Sequence, residues 1–200
     1  MVLSGGSAFG LSTTAGVMQY LDERDVGFPV GNKTVPIVVG AILYDLGLEG
    51  EDRIRPDAAC GYAAAEVASA ATPPEGSVGA GAGATVGKWA DVYRPMKGGF
   101  GTASVTMENG LVVAAAVAVN AVGDIVDPAN GEIVAGARTE DGTAMLDFRR
   151  FLRDQTRPME PPQEGTNTTI GLVATNADLT KAEITKVAQM AQDGLARTTY

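Results

Sequence analysis

The sequence predicts an α+β fold, and three observations carry that expectation. Helical and strand periodicities both occur along the chain. From Phe100 onward the pattern is antiparallel, with two strands meeting at Glu108-Asn109-Gly110. One of them, Leu111 to Val119, is apolar throughout and so is expected to be buried on both faces, with a sheet or helix layer on each side. At 200 residues the chain is one domain, long enough to bury a core. Its 45% hydrophobic and 20% charged residues exclude wholesale disorder.

Taken in order, Val2-Leu3 reads as the tail of a strand, followed by the Gly-rich turn Ser4 to Gly10. Leu11, Ala15, Val17, Met18 and Leu21 then mark a helix closing at Asp22-Glu23-Arg24. Val35 to Tyr44 reads as one buried strand ending at Tyr44-Asp45. Arg55-Pro56-Asp57 starts a helix over Ala58 to Ala71, stopped by Thr72-Pro73-Pro74, and Cys60 on it reads as a small buried thiol. The run Gly79 to Lys88 fails the phosphate-loop pattern at both ends: Ala82 stands where its first Gly belongs, and Trp89 replaces the Mg²⁺-holding Ser or Thr. A close-packed backbone that delivers Lys88 to a definite place remains.

Thr102 to Met107 and Leu111 to Val119 form a hairpin, Asn109-Gly110 suiting a type I′ turn, and Asn120 closes the second strand. A polar amide ending a buried strand must find partners or donate into a site. Val122 to Val126 and Glu132 to Val134 make a second hairpin around Ala129-Asn130-Gly131. Arg138 to Gln163 is polar and Pro-rich, an exposed linker ending in Pro161-Pro162-Gln163-Glu164-Gly165. After a strand led by Thr168-Thr169-Ile170, Thr180-Lys181-Ala182-Glu183 opens a helix with a capping box. Ile184, Val187, Ala188, Ala191 and Leu195 line one of its faces.

Chemistry is constrained by what the chain lacks. With no His, no Ser-His-Asp or Cys-His relay can form within these 200 residues. A Thr at the junction of a flexible turn and a rigid strand can still act as a nucleophile if it becomes a chain terminus. Its own α-amine, with an unperturbed pKa of about 7.7–8.0, then accepts the proton. Thr-Thr before a strand is also ordinary β-propensity and turn chemistry, so the motif alone leaves both readings open. A formal charge of −9 with no basic run argues against a nucleic-acid partner. No apolar run reaches membrane-spanning length, and the single Cys60 suits a reducing compartment; a cytoplasmic protein is expected. No cofactor or metal is expected, since one Cys and no His leave carboxylates without a recognisable ligand spacing.

Seven stretches in order resemble the DmpA-like aminopeptidases, a family that includes L-aminopeptidase/D-esterases, β-peptidyl aminopeptidases and the nylon-oligomer hydrolase. They are Leu3 to Leu11, Val35 to Leu46, Gly79 to Lys88, Met96-Lys97-Gly98-Gly99, Val119 to Asp124, Asn167-Thr168-Thr169-Ile170 and Met190 to Arg197. The resemblance implies an αββα four-layer sandwich, similar to N-terminal-nucleophile hydrolases and here incomplete. It implies scission between Asn167 and Thr168, making residues 1–167 part of one subunit and 168–200 the start of another. Thr168 would be the nucleophile and Tyr44 would hydrogen-bond the reacting centre. Lys88 would keep the amine neutral and favour the deprotonated nucleophile, and Asn120 would hold the oxyanion.

By the same resemblance the substrate is a small peptide or amide, and the full-length parent is a homo-oligomer of processed heterodimers. The chain is expected to be the central portion of a longer protein, with N-terminal strands and a nucleophile-orienting acidic pair, or a Ser and Glu, lying outside it. Two alternatives stay open. A non-catalytic partner-binding module would bind a complementary fragment without activity, and a related acyltransferase would move acetyl groups to an amino acid.

Overall fold

The structure, a computed structural model, describes residues 1–46, 53–89, 95–154 and 165–200. Strand β1 (Val2–Ser4) leads through Gly6, whose left-handed φ of 81° suits glycine, into a 3₁₀ turn (Ser7–Ser12) and helix α1 (Thr13–Asp22). A hairpin the sequence did not announce follows, β2 (Phe28–Val30) with β3 (Lys33–Val35), and then β4 (Gly40–Ile42), parallel to β1. The strand expected over Val35 to Tyr44 is therefore broken. Pro36 has no N–H for a ladder, and Ile37 and Val39 remain exposed.

Helix α2 (Ala58–Glu66) is capped by Asp57, whose carboxylate accepts the Cys60 N–H at 3.0 Å. It lies backbone to backbone on α1: a Cβ on Gly16 would strike the Ala58 carbonyl, and one on Gly61 the Thr13 carbonyl. Gly61 faces the partner helix, so its neighbour Cys60 points outward and is exposed, not buried. The helix also stops at Glu66, short of Ala71. Val67 is exposed there, and Ala-rich propensity without a packed face does not sustain a short helix.

A 3₁₀ turn (Gly79–Gly81) precedes β5 (Thr85–Val86), which pairs with β6 (Met96–Lys97). The main sheet comprises β7 (Gly99–Thr106), β8 (Val112–Asn120) and, after the short pair β9 (Ile125–Val126) and β10 (Ile133–Ala135) and helix α3 (Phe148–Asp154), strand β11 (Thr168–Thr175). Its order is β11-β8-β7, antiparallel throughout. The β7–β8 turn is not type I′. The Met107 carbonyl accepts the Gly110 N–H at 2.9 Å and positive φ falls on Gly110 alone, giving a glycine bulge after an ordinary turn. Asn109 Oδ1 accepts the Leu111 N–H at 3.1 Å, which stabilises that variant.

Helices α4 (Lys181–Met190) and α5 (Gln192–Thr198) complete the chain, α4 opening with the expected capping box. Inside the stretch read as a linker, residues 148–154 are the helix α3; its end at 155–163 lies outside the described residues.

This is a mixed α and β chain of helices and small sheets. Leu43, Ala80, Ala84 and Ala118 form its buried centre, with Leu3, Phe100 and Ile170 packed around them. One face of the β11-β8-β7 sheet thus meets β4 and the Gly79–Gly81 turn, α1 and α2 lie beyond β1, and α4 packs on β11. Burial of β8 on both faces is not found. Ala118 and Asn120 are buried, whereas Val113 is exposed and the rest half-buried, because the strand runs past that small cluster. Among the described residues no helix is long and apolar enough to cross a membrane.

Candidate active site

Strand pairing brings the proposed nucleophile to the proposed oxyanion holder. In the β11–β8 register Thr168 lies opposite Asn120, the first residue of one strand against the last of the other. Tyr44, two residues beyond β4, reaches the same point: its backbone N–H donates to Thr168 Oγ1 at 3.4 Å. The tyrosine thus meets the threonine through its main chain.

Asn120 is 1% exposed and its amide is fully used. Oδ1 accepts from the Thr85 N–H at 3.0 Å and from Lys88 Nζ at 2.7 Å. Nδ2 donates to the Tyr44 carbonyl at 2.6 Å and the Thr166 carbonyl at 3.3 Å. Lys88 Nζ also donates to the carbonyls of Asn120 at 3.2 Å and Thr166 at 3.0 Å. The lysine and the amide therefore converge on the carbonyl of Thr166, one residue before the Asn167 carbonyl that scission would attack. Asn167 Oδ1 is buried with no donor among the described residues, a costly condition for an acceptor.

The Gly-rich run positions Lys88 as its pattern suggested. Gly87 takes a φ of 74°, and a Cβ there would strike the Ala137 backbone, so only glycine lets the chain turn so close. Gly87 and Lys88 donate their N–H groups to the carbonyls of Gly123 (3.0 Å) and Val122 (2.7 Å). Burial pushes the Lys88 ammonium down to about 8, so that about a tenth of it is neutral at pH 7.

Two carboxylates escaped the sequence reading. Asp45 Oδ1 accepts the Gly6 N–H at 2.6 Å, and its side chain fills the space that a Cβ on Gly5 or Gly83 would need. The signal was there in Gly5-Gly6 and Gly83, glycines of two separate segments, legible only once they meet. Asp124, 1% exposed, ends the Asn120 turn and binds the residue after Lys88 through the Trp89 indole N–H, at 3.1 Å. Its mark in the sequence is a lone acid closing Val119 to Asp124. An apolar cavity of about 360 Å³, lined in part by Leu3, Phe100, Ala116 and Leu172, opens beside the main sheet. Ala118 and Ile170 separate it from Thr168 along the strands. Among the described residues no three His, Cys, Asp or Glu side chains gather as metal ligands would.

Over its whole length, residues 1–200, the chain matches the model of Peptidase family S58. It belongs to that family. Similar curated proteins include one named an uncharacterized aminopeptidase from Mycobacterium leprae (strain TN), 41% identical over 99% of this chain and 54% of its own. Another of that name, from Mycobacterium tuberculosis (strain ATCC 25618 / H37Rv), is 37% identical over 99% of this chain and 56% of its own. A 6-aminohexanoate-oligomer endohydrolase from Kocuria sp. (strain KY2) is 30% identical over 98% of this chain and 54% of its own. The resemblance read from the seven stretches is thereby borne out, and the chain spans about half the length of these relatives.

Proposed function

We propose that this S58 chain is part of a self-processing amide hydrolase whose nucleophile is Thr168, freed by scission of the Asn167–Thr168 bond. The observation that supports this most is the convergence of Lys88 Nζ and Asn120 Nδ2 on the Thr166 carbonyl, with Thr168 Oγ1 held beside Tyr44 and opposite Asn120. Two donors and a strand register fix the chain on both sides of the bond to be cut, the kind of pre-positioning that lowers a barrier.

In the precursor the Thr168 nitrogen is an amide and cannot be the base. Thr168 Oγ adds to the Asn167 carbonyl carbon while a neutral Lys88 amine takes the hydroxyl proton. Collapse breaks the C–N bond, the proton passes to the departing nitrogen, and an ester joins Asn167 to Thr168 Oγ. Water hydrolyses that ester, leaving an Asn167 carboxylate and a free Thr168 with hydroxyl and α-amine. In the mature protein the α-amine serves as base, Lys88 disfavours its protonation, and Asn120 Nδ2, exchanging the Thr166 carbonyl for the oxyanion, donates to it, a contribution of about 3–4 kcal/mol at comparable sites.

The names of the relatives, an aminopeptidase and a 6-aminohexanoate-oligomer endohydrolase, favour a small peptide or amide as substrate. The proposal is completed by an αββα four-layer sandwich, by subunits divided at 167/168, and by a homo-oligomer of processed heterodimers in the cytoplasm. The helix–strand–strand–helix order of contacts supports the layers. Intact-mass measurement on the denatured protein tests the central step. Two pieces divided at Asn167/Thr168 are expected, with Thr168→Ala remaining whole. A full-length parent that hydrolyses amides without ever dividing sinks the mechanism.

A further inference from the structure

Asp124 is a buried carboxylate that the chemistry above leaves unused. Both its oxygens are committed: Oδ1 accepts from Trp89 Nε1–H at 3.1 Å and the Ala137 N–H at 3.0 Å, and Oδ2 accepts the Phe148 N–H at 2.8 Å. Burying a carboxylate costs heavily unless such charge-assisted bonds compensate. What these bonds tie together is the back of the site. Trp89 directly follows Lys88, is 3% exposed, and is flanked by the rings of Phe148 (5.2 Å) and Phe151 (4.7 Å). The Gly87 and Lys88 N–H groups bond the carbonyls of Gly123 and Val122, in the turn that continues from Asn120. The chain around Lys88 is thus fastened to the 120–124 turn at three successive residues.

We infer that Asp124 is a positioning residue of the scission site: by holding Trp89 it locks the 87–89 segment onto the 120–124 turn and so keeps Lys88 Nζ on Asn120 Oδ1 and the Thr166 carbonyl. This rests on the proposed role of Lys88. Asp124 acts by geometry, since its carboxylate is spent on three N–H donors. The groups facing Lys88 Nζ are the Asn120 amide and the carbonyls of Asn120 and Thr166, and among the described residues the ammonium makes no ion pair. Its lowered proton affinity comes from burial, so a Lys88 that loses its seat regains water and titrates higher.

The test separates this inference from the wider proposal by reading Lys88 itself. In the full chain carrying Thr168→Ala, competitive acetylation of Lys88 followed by mass spectrometry over roughly pH 6–11 gives its titration midpoint. A midpoint near 8 is expected with the other residues native. Asp124→Asn and Trp89→Phe should each raise it by about one pH unit or more. Tyr62→Phe, which removes a hydrogen bond to Glu23 in the α1–α2 pair, should leave it in place, as a loss of stability alone would. With Thr168 restored, both variants should split about ten-fold more slowly near neutral pH, and the rise of their rate with pH should follow the higher Lys88 midpoint. Trp89→Phe keeps an aromatic ring between Phe148 and Phe151 and carries the measurement if Asp124→Asn does not fold. An unchanged midpoint in folded Trp89→Phe overturns the inference even if the parent splits. A parent that never splits overturns the scission proposal, and the labelling midpoint still decides this one.

Discussion

Asn120 spends all four hydrogen bonds of its amide inside the site, and this fixes what substitution there does. Replacement by Asp keeps the acceptor facing Lys88 Nζ and the Thr85 N–H but turns the donor that faced two carbonyls into a second anionic oxygen. The new charge attracts the ammonium, so Lys88 should titrate above its present value of about 8. If the neutral lysine is the proton acceptor, the splitting rate of the native chain rises with pH through about 8 and levels off above it. In Asn120→Asp that rise should move up by about one pH unit, measured by initial rates of fragment appearance; a profile that stays put removes Lys88 from the chemistry. Stability follows the same titration. Folding lowers the lysine from its ordinary value of 10.5, so the unfolded chain binds more protons between the two values. Stability of the unsplit Thr168→Ala chain should therefore gain from this group as pH climbs from about 8 toward 10.5, and the gain should vanish in Lys88→Met.

At the scale of elements, local chemistry and close backbone contact make different demands. The α4 capping box is local: Thr180 Oγ1 accepts the Glu183 N–H and Glu183 Oε2 accepts the Thr180 N–H at 2.8 Å. Thr180→Ala should cost about 1 kcal/mol in denaturant unfolding, with faster amide exchange confined to the first turn of α4. Gly61→Ala should cost about 1–3 kcal/mol, because the added methyl meets the Thr13 carbonyl and the two helices must separate. That contrast explains what the sequence disclosed. The capping box, the α2 start at Asp57, the β7–β8 pairing and the Gly-rich approach to Lys88 depend on neighbours in the chain, and each could be read from it. The ends of β3 and β4, the outward face of Cys60, and the glycines emptied for Asp45 depend on what another segment places nearby. Tyr44 belongs to both groups: its place just past a strand was legible, but that its amide would face Thr168 depends on how the chain leaves β4.

Across the whole molecule, scission at 167/168 would leave residues 168–200 held to the preceding ones by non-covalent contacts alone, and their fate follows from how they are bound. Strand β11 pairs with β8 over its full length, from Thr168↔Asn120 to Thr175↔Val113, and Ile170 joins the buried centre. Beyond the strand, the Asn176 amide bonds the Gly110 carbonyl at 3.0 Å and accepts the Val112 N–H at 2.8 Å. At the far end Tyr200 exchanges two main-chain hydrogen bonds with Asp124, 2.9 and 3.0 Å, and Arg149 stacks over its ring at 4.5 Å. Net contributions on the order of 1 kcal/mol for each such bond, added to apolar burial, oppose the translational and rotational freedom, about 4–15 kcal/mol, that a freed piece would gain. After splitting, both pieces should therefore travel together through size exclusion in native buffer and part only in concentrated denaturant. A 168–200 piece emerging alone under native conditions would mean that the main sheet owes its third strand to the intact chain, and that no mature site could persist on it.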